Sequence, residues 1–150
     1  MKKSKCFGCF NIMLLSCALL FMNTVNAAKP TCQHLKGQWI NELGSTLFIS
    51  SVKSNGHLSG HFVSSEQAGG EVFVMMGWVN NASPREGLDH LTAVTFAVNW
   101  NDYGSLSAWV GGCAIKDGMP TLSMIWNLVL ANAQFEWDHM ISNSDTFKPK

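Results

Sequence analysis

Between Trp100 and Trp109 the chain reads Trp-Asn-Asp-Tyr-Gly-Ser-Leu-Ser-Ala-Trp, a dense mixture of indoles and short hydroxyls. From Ser105 onward the residues alternate with period two, as a half-buried strand does. Ser105, Ser107 and Trp109 fall on one face; Leu106, Ala108 and Val110 fall on the other. A packed core would use the second face and leave the hydroxyls in water. A tryptophan on the hydroxyl face suits a cavity for a small molecule, where aromatic walls supply contact area and hydroxyls fix orientation. An amphipathic strand with one partly exposed Trp accounts for the stretch equally well. Trp126 and Trp137 add indoles to two later strand-like segments.

Residue types that could catalyse are present but are not spaced for it. Of the five histidines, His57 and His61 stand four apart, the spacing that puts two rings on one helix face. Gly56, Gly60 and a period-two pattern indicate a strand instead, along which the rings would lie roughly 13 Å apart, too far to share a metal. His34, His90 and His139 have no partner motif, and no Ser-His-Asp or Cys-His arrangement has a recognisable context. Glu42, Glu136 and Asp138 form no acid–base pair. The reading is a binding protein with no catalytic residues, no metal and no cofactor.

The elements that must position the indoles begin after a leader. Lys2, Lys3 and Lys5 precede an apolar run from Ile12 to Met22, and Val25-Asn26-Ala27 ends in small residues. This is the pattern of a secretory signal peptide over 1–27, too short for a spanning helix. Leu14-Leu15-Ser16-Cys17 loosely resembles a lipoprotein box, but the apolar run continues past Cys17, which favours plain secretion. Residues 28–150 then form one domain, secreted to the extracellular space or a periplasm, with no membrane attachment after cleavage. The whole chain has ten basic and ten acidic residues; loss of three leader lysines leaves it about three charges negative. No basic patch remains to bind nucleic acid or an anionic membrane. Cys6, Cys9 and Cys17 leave with the leader. Cys32 and Cys113 remain, an even pair whose default in an exported protein is one disulfide; two unpaired buried thiols are the alternative.

The domain reads as eight strands: Gln38–Asn41, Ser45–Val52, His57–Ser65, Glu71–Asn80, Leu91–Asn101, Ser105–Lys116, Thr121–Leu130 and Trp137–Phe147. Asn55-Gly56 signals a hairpin in which both turn residues take positive φ, and Asp117-Gly118 marks another turn. Leu128–Phe135 could pass for a helix, but it lacks a capping signal. Eight antiparallel strands of this length suggest an all-β, up-and-down barrel, which has no sheet edges and whose mouth can hold one small ligand.

Several separated segments now fall into a pattern. Gly37-Gln38-Trp39-Ile40-Asn41-Glu42-Leu43-Gly44-Ser45-Thr46, Leu58 to Ser64, Phe96 to Trp109, Trp126-Asn127-Leu128, and Trp137 followed by Asp145-Thr146-Phe147 occur in the order of the avidin and streptavidin family. The chain resembles that family from Cys32 to Phe147. Cys32 and Cys113 fall where the egg-white member has its disulfide. The resemblance implies a biotin site. Asn41 and Ser45 would donate to the ureido oxygen. Ser64 and Asp145 would accept from the two ureido N–H groups, with an ionised Asp145 polarising the ring. Ser107 would touch the thioether sulfur and Ser105 the carboxylate. Trp100, Trp109, Trp126, Leu128 and Leu43 would wall the site, Trp39 would plug the barrel floor, and Trp137 would cap a neighbouring subunit's pocket. Each residue has a plainer role open to it: Asn41 and Ser45 as caps of a turn at Gly44, Asp145 as a solvated strand-end charge, the tryptophans as core.

Two departures from the family stand out. Phe62 occupies the place of a tyrosine whose hydroxyl is the third donor to the ureido oxygen. Losing one hydrogen bond in a buried site costs about 1–3 kcal/mol, roughly one to two powers of ten in affinity. Asp102 and Tyr103 replace small or aromatic residues near the carboxylate end, where Asp102 would repel a carboxylate it faced. The loop from Ser65 to Gly70 has no clear counterpart; its backbone is expected to close over the ligand. Trp137 implies a homo-oligomer, a tetramer built as a dimer of dimers or a simple dimer, with Val110, Trp126 and Leu128–Leu130 at the contact. The rival reading rests on Gly37-Gln38-Trp39, a short motif shared with lipocalins and small barrel-type protease inhibitors. The four residues Ala28–Thr31 before Cys32 are short for an inhibitory arm.

Overall fold

The computed structural model describes residues 31–150. The signal peptide expected over 1–27, with Cys6, Cys9 and Cys17, lies outside them. Eight strands follow one another: β1 (Gly37–Ile40), β2 (Thr46–Val52), β3 (His57–Val63), β4 (Val72–Asn80), β5 (Thr92–Asn99), β6 (Ser105–Lys116), β7 (Met119–Leu130) and β8 (Met140–Pro149). Each pairs antiparallel with the next, and β8 returns to β1 through Trp39↔Pro149 and Ile40↔Lys148, closing the barrel. Closure satisfies the backbone groups that an open sheet would leave at its edges.

Period-two patterning decides which side chains enter the barrel. On β4 the inward positions are Phe73, Met75, Gly77 and Val79, while Val72, Val74, Met76 and Trp78 face out. On β6, Ser105, Ser107 and Trp109 are inward and Leu106, Ala108 and Val110 outward. The hydroxyl-and-indole face of β6 is therefore the inner one. Below Trp109 the interior is filled. Phe96 stacks on Trp109 with ring centres 4.7 Å apart, and Phe147, Leu122, Leu58 and Ile49 are fully enclosed beneath. Trp39 plugs the floor, its indole N–H donating to the Leu35 carbonyl at 2.8 Å. Enclosing side chains of this size stabilises the fold by about 1.5–3 kcal/mol each. Cys32 and Cys113 form the disulfide, Cα–Cα 5.6 Å, tying the segment before β1 to β6.

Several boundaries differ from the sequence reading. β5 ends at Asn99, because Trp100 turns out of the strand and Asn101–Tyr103 form a 3₁₀ turn closed by Gly104 at φ 63°. β8 begins at Met140, so Trp137 does not lie on a strand; Glu136–His139 form another 3₁₀ turn. β8 also runs two residues beyond Phe147, far enough to pair with β1. Residues Leu128–Leu130 continue β7 and are not helical. The Asn55-Gly56 hairpin forms with a longer loop than the dipeptide suggests. Gly56 N–H bonds the Lys53 carbonyl at 2.9 Å, and Gly56 alone of the pair takes positive φ. This is a turn followed by a left-handed glycine, and a Cβ on Gly56 would meet the Val79 carbonyl oxygen at 2.2 Å. At Asp117-Gly118 both residues take positive φ, the two-residue form.

Candidate functional site

In an up-and-down barrel successive loops alternate ends. The loops after β1, β3, β5 and β7 share one end, and there the interior opens into a cavity of about 470 Å³. Its walls come from every second strand position above Trp109, so the alternation that packs the lower half also lines the cavity. Asn41, Leu43 and Ser45 come from the first loop, Phe62 and Ser64 from the end of β3, and Trp100 from the end of β5. Ser105, Ser107 and Trp109 come from β6, Trp126 and Leu128 from β7, and Asp145 from β8. Sequence reasoning missed Ala68, Phe73, Tyr103 and Leu130, which also line it. Phe73 and Leu130 extend inward periodicities already evident. Tyr103 and Ala68 sit in 3₁₀ turns, which carry no such period.

Aromatic rings form a continuous wall. Phe62 stacks on Trp109 at 5.2 Å and meets Trp100 edge-on at 5.6 Å; Phe73 meets Trp100 at 4.7 Å. Trp126 stands 6.4 Å from Trp109 on the other side. These are the offset and edge contacts that ring quadrupoles favour, so each indole holds its neighbour in place.

The polar groups are held just as firmly, and the partner each already has determines what it can still do. The Asn41 Oδ1 accepts from the backbone N–H of Ser45 at 2.8 Å and of Leu43 at 3.2 Å. Both partners are donors, so the amide orientation is set and its NH₂ is the free end. The Ser45 Oγ accepts from the Ser65 N–H at 3.1 Å, which leaves its own O–H to donate. Ser64 does the opposite. Its O–H donates to the Ala68 carbonyl at 3.2 Å and its oxygen accepts from Glu71 N–H at 2.9 Å, leaving one lone pair. Asp145 is buried, and one carboxylate oxygen accepts from the Trp109 indole N–H at 2.8 Å; the other has no donor among the described residues. The Ser107 Oγ accepts from the Trp100 indole N–H at 2.7 Å, which holds that ring against the wall. Capping a turn and facing the cavity thus prove compatible for Asn41 and Ser45.

Trp137 is not in this cavity. It is 75% exposed and stacks on Phe135 at 4.9 Å, on the loop after β7. At the rim, the Tyr103 hydroxyl donates to a Glu71 carboxylate oxygen at 2.7 Å, a bond and a charge that raise the Tyr103 pKa. This joins the loops after β3 and β5. Asp102 is exposed and does not line the cavity. Among the described residues no group of three or more His, Cys, Asp or Glu is gathered as metal ligands would be.

Residues 29–150 match the Avidin family. Avidin-related protein 1 of Gallus gallus is 32% identical over 120 residues, 77% of this chain and 73% of the relative. Avidin of the same organism is 31% identical over 124 residues, 78% of this chain and 74% of the relative. Among solved structures, the crystal structure of xenavidin superposes with a TM-score of 0.66 at 27% identity, covering 80% of this chain and all of that one. Apo shwanavidin, at 23% identity and a TM-score of 0.63, covers 77% of this chain and all of its own, and shares the fold.

Proposed function

The chain belongs to the avidin family, and from that premise we propose that its cavity binds biotin without catalysing a reaction. The observation that carries this reading is the preset polarity of four side chains. Asn41 and Ser45 are left with free donors, and Ser64 and Asp145 with free acceptors. A ureido group presents one acceptor oxygen and two N–H donors, the complementary set. Because the protein's own bonds fix each orientation in advance, little ordering remains to oppose binding. The aromatic wall takes the fused rings, Ser107 meets the thioether, and Ser105 the tail. Phe62 packs in the wall without a hydroxyl, so affinity falls below what a third donor to the ureido oxygen would give.

The protein acts as an exported homo-oligomer. The Cys32–Cys113 disulfide suits an oxidising compartment, consistent with a leader removed after Ala27. Of the residues expected at a subunit contact, Trp126, Leu128 and Leu130 face the cavity instead, while Val110 and Val129 point outward with Val74, Met76, Trp78 and Ile125, all large, apolar and exposed across β4, β6 and β7. A sheet face of this kind marks an interface, and a tetramer or dimer of this chain is the occupant proposed. Trp137, solvent-facing in one subunit, would then cap the partner's cavity. A lipocalin-like carrier or protease inhibitor finds no support in the family match or the cavity's paired polar groups.

Titration of the mature protein with biotin tests the reading. Tryptophan fluorescence should quench to saturation and the melting temperature should rise. Folded protein that shows neither is not a biotin binder.

A further inference from the structure

We propose that the cavity takes biotin as an amide conjugate in preference to the free acid, because the rim that the ligand's tail must cross is collared by carboxylates with no lysine or arginine among them. This rests on the biotin reading and specifies which form of biotin the site favours. The four loops at the open end, 41–45, 64–71, 100–104 and 131–139, carry Glu66, Glu71, Asp102, Glu136 and Asp138 and no Lys or Arg; Glu42, in the first of them, is turned onto β8, where it accepts from the Thr146 N–H at 2.9 Å. The three at the other end, 53–56, 81–91 and 117–118, mix Lys53 and Arg85 with Glu86, Asp89 and Asp117. Among the described residues of these four loops the one basic side chain is His139, whose Nδ1 lies 2.6 Å from the Leu130 carbonyl oxygen. Lys148 is on the outward side of β8, opposite Ile40.

The collar acts where the tail leaves. Glu71 is tied to the cavity wall by the Tyr103 hydroxyl at 2.7 Å, and that ring packs on Phe73. The Tyr103 proton is thereby committed to Glu71 and is not offered to a ligand. The deeper groups point to a ligand independently of the collar. Asp145 is only 4% exposed and has one oxygen without a donor, and Ser105 is only 7% exposed with no partner for its hydroxyl among the described residues. A serine hydroxyl serves an amide or a carboxylate alike, so contact at Ser105 does not separate the two forms. Charge does. A carboxylate brought within roughly 8–10 Å of several such groups loses about tenfold in affinity at low salt, and most of that loss is screened at high salt.

The test compares biotin, its primary amide and its aminoethyl amide by calorimetry on the full mature protein, at 20 mM and 500 mM NaCl. At low salt the primary amide should bind about tenfold tighter than the acid, and the cationic amide tighter still. At high salt the acid and the primary amide should come within about threefold. Glu71→Gln, at an exposed position, should narrow the low-salt ratio by restoring affinity for the acid. Equal binding of acid and amide at low salt overturns the inference and leaves the biotin reading standing. A preference that ignores salt and survives Glu71→Gln arises from hydrogen bonding and overturns it too. Failure of all three ligands to bind defeats the biotin reading itself.

Discussion

The two halves of the barrel interior are built by one rule and end as different materials. Below Trp109 the inward positions are Phe96, Phe147, Leu122, Leu58 and Ile49, which fill the space completely. Above it an aromatic wall is interrupted by Ser107, Ser105, Ser64 and Asp145, too small or too polar to close the space. β3, β4, β6, β7 and β8 each run from one regime into the other, and β6 shows the change most plainly. Its inner face passes from Ser105 and Ser107 through Trp109 to Cys113, which anchors the disulfide. Trp109 belongs to both halves: one face stacks on Phe96, and its N–H holds Asp145. The lower half thus supplies stability, and the upper half spends its side chains on orientation.

If the halves are separable, damage to the lower one should cost stability and leave affinity intact. Cys113→Ser, or reduction of the disulfide, opens a loop with a sequence separation of 81. Chain entropy then predicts a loss of about 4–5 kcal/mol in unfolding free energy. The biotin affinity of the protein that remains folded should change little. Denaturant melts with and without ligand measure both; an equal collapse of affinity would show that the cavity depends on the lower half directly.

The opposite result is expected of Asp145→Ala. It removes the acceptor for one ureido N–H and frees the Trp109 indole N–H, which then has to be satisfied by water. The cost is about 2–3 kcal/mol in binding, roughly a hundredfold weaker. Unliganded stability should shift far less than with the disulfide variant. A hundredfold loss of affinity accompanied by several kcal/mol of lost stability would make Asp145 a core residue that happens to line a cavity.

Phe62→Tyr sharpens the contrast from the other side. Phe62 packs on Trp109 as a core residue does, yet it also lines the cavity. Adding the hydroxyl should tighten biotin binding by roughly tenfold or more, as a third donor to the ureido oxygen. An unchanged or weaker affinity would mean that the ring serves the lower half only.

The same division explains what could be read from residues alone. Strand order, the barrel and nearly all the cavity lining followed from period-two alternation and the family resemblance, because strands impose that period on the chain. The loops impose none. Residue types therefore put Trp137 on a strand that begins only at Met140, carry β5 two residues past its end at Asn99, and leave Tyr103 and Ala68 out of the lining. Nor could the residue types show how Asn41, Ser45 and Ser64 divide their hydrogen-bonding capacity. That depends on backbone N–H and C=O groups of Leu43, Ser45, Ser65, Ala68 and Glu71, whose positions are set by loop conformation.

Trp137 lies outside both halves, and the smallest effect is expected there. Its ring stacks on Phe135 and is otherwise exposed, so no packing within the subunit accounts for a side chain of that size. If a partner subunit's cavity receives it, Trp137→Ala should weaken biotin binding by about tenfold, roughly 1.4 kcal/mol, with little change in subunit stability. The loss should appear only at protein concentrations where the wild type is oligomeric. Diluted until light scattering reports monomers, the wild type and the variant should bind alike. A tenfold loss that persists in the monomer would place the indole over its own cavity, and no loss at any concentration would remove Trp137 from the site.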